Sequence, residues 1–195
     1  MGAFCGSVDS LSMDTALDQF QAALARLEGK TWTIEFDEAC PPYHLSKKGL
    51  NFIIRHETYG RKPALKMYLD SAGNPTIGYG HKVEPGEHFS NGATMAQALD
   101  LLKEDVQQAV DEVNASLNVP LAQNQFDALV DLAYNEGPRS VQQGHEMMLA
   151  LNAGGVTEFN FTQYDLIKVH GRYVKGPGLF MRRVEEWLLF EKGDY

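Results

Sequence analysis

An uninterrupted apolar stripe in the middle of the chain limits the folds that it can adopt. Thr94 and Gln97 form the capping-box pattern of a helix start, and Pro120 ends the segment that they open. Between them, apolar residues recur at helical spacing over about six turns. Such a stripe has to be covered by other elements, so a long central helix with partners packed along it is predicted. The stripe consists of Met95, Ala98, Leu99, Leu102, Val106, Ala109, Val110, Val113 and Leu117.

From residue 46 onward, the rest of the chain is also predicted to be helical, apart from one segment. Further helices are predicted at about 46–57, with Ser46 as its cap, and at 123–135, 141–152, 156–166 and 178–191. Everything after residue 92 is interpreted as helical, and the glycines at 171, 176 and 178 are read as a loose stretch before the last helix.

The exception is a predicted hairpin. Strand-like runs at 65–69 and 76–79 flank the polar turn 70–75. Gly78 and Gly80 stand within or beside a strand, which implies close approach by another backbone or by a ligand. The predicted fold class is therefore α+β, with a small β-hairpin lobe packed against a larger helical lobe.

The first 45 residues differ from the rest in charge. They hold seven acidic and two basic side chains, whereas the whole chain of 195 residues has a net charge of −9. We interpret residues 1–45 as an acidic N-terminal extension, with an amphipathic helix at 13–28 and a short strand at 31–36. Its Cys5 and Cys40 are expected to be free thiols rather than a disulfide, since the sequence shows no signal peptide. The acidic balance argues against nucleic acid as a partner, and no run of residues is long and apolar enough to span a membrane.

Glu57 interrupts an apolar pattern. It falls on the same helical stripe as Leu50, Ile53 and Ile54, where a helix normally turns toward the core. A carboxyl held there loses hydration, which favours its protonated form and suits it to act as a general acid. The alternative is that Glu57 ends the helix and points to solvent. The zinc motif HExxH is absent, because Gly60 stands where its second histidine would be, and no metal or cofactor is implied.

Three separated motifs follow one another in the chain: Glu57 with the run 68–81, the segments 125–130 and 133–137, and 178–185 with Phe190. In this order they resemble the T4-lysozyme-like muramidases, the phage endolysin class of glycoside hydrolases, and the resemblance covers about residues 46–195. It implies a lysozyme-like muramidase domain with a hairpin lobe at about 58–92 and a helical lobe at about 93–195. The gap between Glu57 and Asp70 is longer than is usual in the family, and the extra residues are assigned to 60–63.

The resemblance also implies roles for individual residues. Glu57 would be the acid, Asp70 the second carboxylate and Thr76 the hydroxyl that helps Asp70 to hold a water molecule, in an inverting mechanism. Tyr134 and Asn135 match cleft-lining positions of the family and would bind the sugar, Asn135 through an N-acetyl group and Tyr134 by stacking. The alternative for Tyr134 is an ordinary core position on an apolar helix.

Structural ion pairs near the site are implied as well. His81 would pair with Asp105, and either Arg182 or Arg183 would reach toward Glu57, with Arg183 taken as part of the ion-paired set. The His81 pair would fasten the hairpin lobe to the helical lobe rather than react, whereas an arginine close to Glu57 would stabilise its anion and oppose the effect of burial.

The function implied is hydrolysis of the β-1,4 bond between N-acetylmuramic acid and N-acetylglucosamine in peptidoglycan, with bacteriolytic effect. Two alternatives stay open: a catalytically silent module that binds glycan, and a lytic transglycosylase. We expect a monomer that acts at the bacterial cell wall, delivered by phage lysis or as a secretion-system effector, in which case an immunity protein would be a partner.

Overall fold

The computed structural model describes residues 42–58, 62–70, 73–169 and 171–195. The predicted helix at 13–28, the strand at 31–36, both cysteines, and residues 60 and 61 of the lengthened gap lie outside these described residues. The division into 1–45 and 46–195 therefore stays a prediction.

Helices and two small antiparallel sheets make up the described part. In chain order the elements are α1 (Lys47–Thr58), β1 (Ala64–Leu69), β2 (Pro75–Gly78), β3 (His81–Lys82), α2 (Met95–Ser116), α3 (Gln123–Glu136), a 3-10 turn (Pro138–Val141), α4 (Glu146–Asn152), α5 (Glu158–Thr162), β4 (Leu166–Val169), β5 (Arg172–Lys175) and α6 (Pro177–Lys192). The α+β class and the lysozyme-like division into a hairpin lobe and a helical lobe are confirmed.

The central helix α2 follows the predicted stripe. Thr94 caps it, accepting a hydrogen bond from the backbone N–H of Gln97, whose side chain in turn caps Thr94. The core that covers α2 is formed mainly by α3, every residue of which from Phe126 to Ala133 is buried. Because a helix with this much apolar surface has to lie inside the fold, α3 is the element on which the others pack.

The predicted hairpin is confirmed and has one strand more than expected. β1 pairs antiparallel with β2, with Tyr68 opposite Thr76, and β2 pairs with β3, with Ile77 opposite His81. Gly78 has a φ of +68°, and a Cβ placed there would lie 3.4 Å from the Cβ of Ala98 on α2. The close backbone approach inferred for Gly78 is therefore its contact with the helical lobe.

The interpretation of everything after residue 92 as helical is wrong for one segment. β4 and β5 form a second antiparallel hairpin, with Val169 opposite Arg172. Gly171 has a φ of +80° in the turn between them, so the glycine that was read as loosening the chain makes a tight reversal instead. This hairpin leads directly into α6.

The start of α1 is fastened to α3. Ser46 Oγ accepts from the backbone N–H of Gly49, as predicted for a cap, and donates to the buried carboxylate of Asp127. Asp127 also accepts from the backbone N–H of Ser46 and from the hydroxyl of Tyr195. The body's first helix and its C-terminal residue thus share one anchor on α3.

Candidate active site

A cleft of about 610 Å³ opens where α1, the first hairpin, α2 and α3 meet. This volume is in the range typical of ligand sites. Five of the residues named from the sequence line it together: Glu57, His81, Asp105, Tyr134 and Asn135.

Glu57 lies at the end of α1, with its carboxyl group facing the turn that links β2 to β3. Gly80 stands in that turn with a φ of +103°, and a Cβ placed on it would lie 3.7 Å from Glu57 Oε2. The other oxygen, Oε1, accepts a hydrogen bond of 2.7 Å from Arg182 Nη1 on α6. The Glu57 side chain is 20% exposed, so it does not end the helix in open solvent.

Arg182, and not Arg183, is the arginine that reaches Glu57. The guanidinium of Arg183 turns the other way, where it donates to Glu186 and to Asn135 Oδ1, the latter at 3.0 Å. Neighbouring residues on a helix point about 100° apart, so the two guanidinium groups reach different partners. The sequence left both arginines open for the contact with Glu57, and the structure gives that contact to Arg182.

Arg182 is itself held from behind. Its Nε and Nη2 donate to the two oxygens of Asp131 at 3.1 and 2.7 Å, which is a bidentate pair. Asp131 is fully buried. Burial alone raises the pKa of a carboxyl, but the charge of Arg182 and hydrogen bonds outweigh it and lower the pKa of Asp131. Arg182 and Asp131 therefore form an ionised pair.

Asp70 and Thr76 are linked through Asn74. Asp70 accepts from the backbone N–H of Asn74 at 2.8 Å and from its side-chain amide at 2.9 Å. The hydroxyl of Thr76 donates to the carbonyl oxygen of Asn74 at 3.0 Å. Within the described residues, the lining of the 610 Å³ cleft includes neither Asp70 nor Thr76. Thr76 is, however, directly opposite Lys82, which does line it.

His81 bridges two carboxylates. Its Nδ1 lies 2.9 Å from Asp105 Oδ1 on α2, and its Nε2 lies 3.0 Å from Glu87 Oε2. Burial disfavours the imidazolium, but the hydrogen bonds with Glu87 and Asp105 outweigh it and raise the pKa of His81. The pair with Asp105 is the contact implied by the resemblance, whereas Glu87 was not anticipated.

Tyr134 and Asn135 come from the last turn of α3. Burial, together with the charge of Glu57, raises the pKa of the Tyr134 phenol, so it stays protonated. Asn135 is fixed by its contact with Arg183. Both side chains therefore reach the cleft from a rigid helix.

Sequence reasoning missed Asn74, Glu87 and Asp131. Asn74 carried a usable signal, because an Asp side chain in a short turn commonly accepts from a backbone N–H a few residues further on. Asp131 had a weaker signal: it falls four residues after Asp127 in the otherwise apolar run 126–133 of α3. Glu87 lies in a loop and had none.

Comparisons with known proteins agree with this geometry. A family model described as "Phage lysozyme" matches residues 62–186. The chain belongs to the phage lysozyme family. It is 35% identical to an endolysin of Acyrthosiphon pisum secondary endosymbiont phage 1 over 150 residues, which is 76% of this chain and 98% of that protein.

Solved structures show the same fold. An endolysin from Escherichia coli O157:H7 phage FAHEc1 superposes with a TM-score of 0.70 at 34% identity, covering 80% of this chain and 98% of the other. The muramidase domain of SpmX from Asticaccaulis excentricus gives a TM-score of 0.65 at 29% identity, covering 77% and 99%. This lysozyme is accordingly a glycoside hydrolase, and its substrate is peptidoglycan.

Among the described residues, no helix has the length and apolar character to cross a membrane.

Proposed function

We propose that this lysozyme cleaves the β-1,4 bond between N-acetylmuramic acid and N-acetylglucosamine, with Glu57 as the proton donor. The observation that carries the proposal is the position of Glu57: a carboxyl group on the cleft wall, one-fifth exposed, held by Arg182 on one oxygen and facing the Gly80 turn with the other. A donor in this position can reach the oxygen of a bound glycan without being surrounded by water.

Asp70 is the proposed second carboxylate. The two N–H groups of Asn74 donate to it, and such hydrogen bonds favour its ionised form. Thr76 directs its own hydrogen to the Asn74 carbonyl, so its oxygen is suited to accept a hydrogen from water. Opposite residues of an antiparallel pair have side chains on the same face, and the partner of Thr76 is the cleft residue Lys82. This supports a glycan path from the cleft across the hairpin.

The reaction proposed is an inverting hydrolysis. Glu57 gives its proton to the glycosidic oxygen as the bond to the anomeric carbon breaks. Asp70 takes a proton from the water held with Thr76 as that water adds to the anomeric carbon from the opposite side. Each turnover thus consumes one water molecule, and Glu57 and Asp70 regain their protonation states by exchange with solvent.

Substrate binding is assigned to Tyr134 and Asn135. The phenol ring of Tyr134 offers a flat surface for a sugar face. Asn135 uses its oxygen for Arg183, so its NH₂ end is suited to donate to the carbonyl of an N-acetyl group.

Product analysis tests the proposed bond and mechanism. Purified sacculi are digested in ¹⁸O-labelled water, and the fragments are examined by mass spectrometry, with the anomer formed first followed by NMR on soluble glycan strands. We expect labelled reducing ends on N-acetylmuramic acid and initial inversion. Anhydro-muramic ends without label would show a lytic transglycosylase, and intact strands in the presence of bound protein would show a binding module.

The proposed place of action is the bacterial cell wall, which the lysozyme degrades as a monomer. It would be delivered there by phage lysis or by a secretion system. Its bacteriolytic effect is tested by producing it in a bacterium with and without an export signal. We expect lysis in the exported case, and in the unexported case only after the membrane is permeabilised. Coproduction of a candidate immunity protein would suppress that lysis if the chain is an effector.

A further inference from the structure

A cluster of buried charges lies directly behind Glu57, where α3 packs on α6. Its members are almost entirely withdrawn from solvent, with exposed fractions of 0%, 9%, 0% and 0% for Asp131, Arg182, Arg183 and Glu186. Charges in such a place are costly unless they are paired, so their pairing is under strong physical constraint.

Within this cluster, Arg182 divides its donors between two carboxylates. Nε and Nη2 are directed at Asp131, and Nη1 at Glu57. A guanidinium group is planar and rigid, so fixing two of its nitrogens on Asp131 also fixes the direction of the third. The position of the Glu57 carboxyl is in this way connected to Asp131 through one side chain.

We propose that Asp131 is a positioning residue for the hydrolytic reaction, which aims Arg182 at Glu57 and neutralises its charge so that Glu57 can carry the catalytic proton. The proposal rests on the assignment of Glu57 as the acid under "Proposed function". An arginine facing a carboxylate favours the ionised form of that carboxylate. A second anion on the far side of the same arginine offsets this effect.

Other charged and titratable groups surround Glu57, Arg182 and Asp131, and they come from each element packed around these residues. From α1, His56 Nδ1 lies 3.3 Å from Asp131 Oδ2, and its Nε2 lies 2.9 Å from Glu185 on α6. Glu186 Oε1 lies 3.4 Å from Arg182 Nε. Burial, and after it the facing charge of Asp131, raises the pKa of Glu186. The cleft side contributes His81, Lys82, Glu104, Asp105 and the phenol of Tyr134.

Asp131 holds Arg182 with both of its oxygens, whereas Glu186 lies 3.4 Å from Arg182 Nε and bonds Arg183, so Asp131 is the principal anion behind Arg182. Replacing it by asparagine leaves the same shape but removes the charge and one of the two acceptors. With the Asp131 charge gone, the attraction of Arg182 for the Glu57 carboxylate is less offset, which favours the ionised form of Glu57 more than in the parent protein. The alkaline limb of the pH profile of kcat/KM, which reports the acid in the free enzyme, should move to lower pH.

The test is the pH profile of kcat/KM for Asp131→Asn beside Asp127→Asn, measured on soluble glycan strands over the pH range in which each variant stays folded. Asp127 is a matched control: it is also fully buried on α3, one turn earlier, but it bonds Ser46 and Tyr195. In Asp131→Asn we expect the alkaline limb to lie about one pH unit lower than in the parent protein, so that kcat/KM is about tenfold lower at pH values above the limb. We expect no such shift in Asp127→Asn. Asp131→Glu should restore part of the limb's position.

An unmoved limb in a folded Asp131→Asn variant would overturn the proposal, as would an equal movement in Asp127→Asn. If Asp131→Asn does not fold, Arg182→Gln serves instead. It removes the cation and leaves Asp131 facing Glu57, so the limb should move to higher pH, and an unmoved limb would again overturn the proposal. Glu57→Gln separates failure of the proposed function from failure of this inference. If Glu57→Gln stays active, the assignment of Glu57 as the acid fails. If Glu57→Gln is inactive and the limb is unmoved in Asp131→Asn, only the role of Asp131 is refuted.

Discussion

Arg182 Nη1 lies 2.7 Å from Glu57 Oε1, and this contact joins residues that are 125 positions apart in the chain. Glu57 belongs to the last turn of α1, and Arg182 to the second turn of α6. The position of the carboxyl group therefore depends on the correct docking of the last helix, not only on the helix that carries it.

Arg182→Lys should reduce turnover while preserving the charge. Lysine has a single nitrogen and cannot hold both Asp131 oxygens and Glu57 in the fixed geometry of a guanidinium group. We expect kcat to fall about tenfold with a smaller change in KM, because the group that moves is Glu57, the proposed proton donor. Steady-state kinetics on soluble glycan strands measure both. Arg55→Lys, at an arginine 47% exposed that bonds Glu185, is the control, and equal kinetics in the two variants would contradict the geometric role.

Asn74→Ala should loosen Asp70 without unfolding the hairpin. The variant removes the side-chain donor at 2.9 Å from Asp70 Oδ2, but the backbone N–H at 2.8 Å remains. We expect kcat to fall by roughly tenfold and the free energy of unfolding by about 1 kcal/mol, the usual net worth of one such hydrogen bond. Kinetics and thermal unfolding measure the two effects. Asn91→Ala, in an exposed turn, serves as the control; a loss of stability without a loss of kcat would remove Asp70 from the mechanism.

His81 should make stability depend on pH. Its pKa in the folded protein is raised above 6.5, the ordinary value that it has in the unfolded chain. Its contribution to the free energy of unfolding is therefore complete below pH 6.5 and is lost as the pH rises through the higher pKa of the folded protein. Two carboxylates bond the ring, those of Asp105 and Glu87. Where both are ionised and His81 is protonated, we expect His81→Gln to lower the free energy of unfolding by about 2 kcal/mol. At higher pH the loss should be smaller. Thermal unfolding across pH measures this. The exposed His88 is the control as His88→Gln, and parallel pH curves for parent and His81→Gln would contradict the pairing.

Gly49→Ala should destabilise the fold through Asp127. A Cβ on Gly49 would lie 2.5 Å from Asp127 Cγ, so the buried carboxylate would have to shift away from Ser46 and Tyr195. We expect a loss of about 2 kcal/mol in the free energy of unfolding, as for other overpacked buried sites, with the pH profile of activity unchanged. Chemical denaturation measures the loss. Gly155→Ala, where the nearest atom to a Cβ would be 3.9 Å away, is the control; an unaffected Gly49→Ala would show that the Asp127 anchor adapts freely.

Local patterns sufficed for several elements of the fold. Thr94 and Gln97 mark the start of α2 because a capping box is a property of four consecutive residues, and Ser46 marks the start of α1 in the same way. The second hairpin was missed although its signal was local too: runs of β-branched and apolar residues on both sides of Gly171 are typical of a two-residue turn. The glycine was read as a sign of looseness, whereas its positive φ serves a reversal.

The candidate site was predictable only in part, for a physical reason. Glu57 stood out because a carboxyl interrupts an apolar stripe, which is visible in one helix. The choice between Arg182 and Arg183 depends on the rotation of α6 about its axis, which tertiary packing decides. The role of Asp131 depends on a partner 51 positions away, and no periodicity in either helix records that distance.

The most direct test of the account is the release of soluble fragments from purified sacculi by Glu57→Gln, measured beside the parent. Glutamine keeps the shape and can still accept from Arg182, but it has no acidic proton to give. Glu112→Gln on α2, outside the lining of the cleft, is the matched control and should act like the parent. We predict that Glu57→Gln folds normally, binds sacculi and loses roughly a hundredfold or more in rate. Release at the parental rate would contradict the assignment of Glu57 as the proton donor.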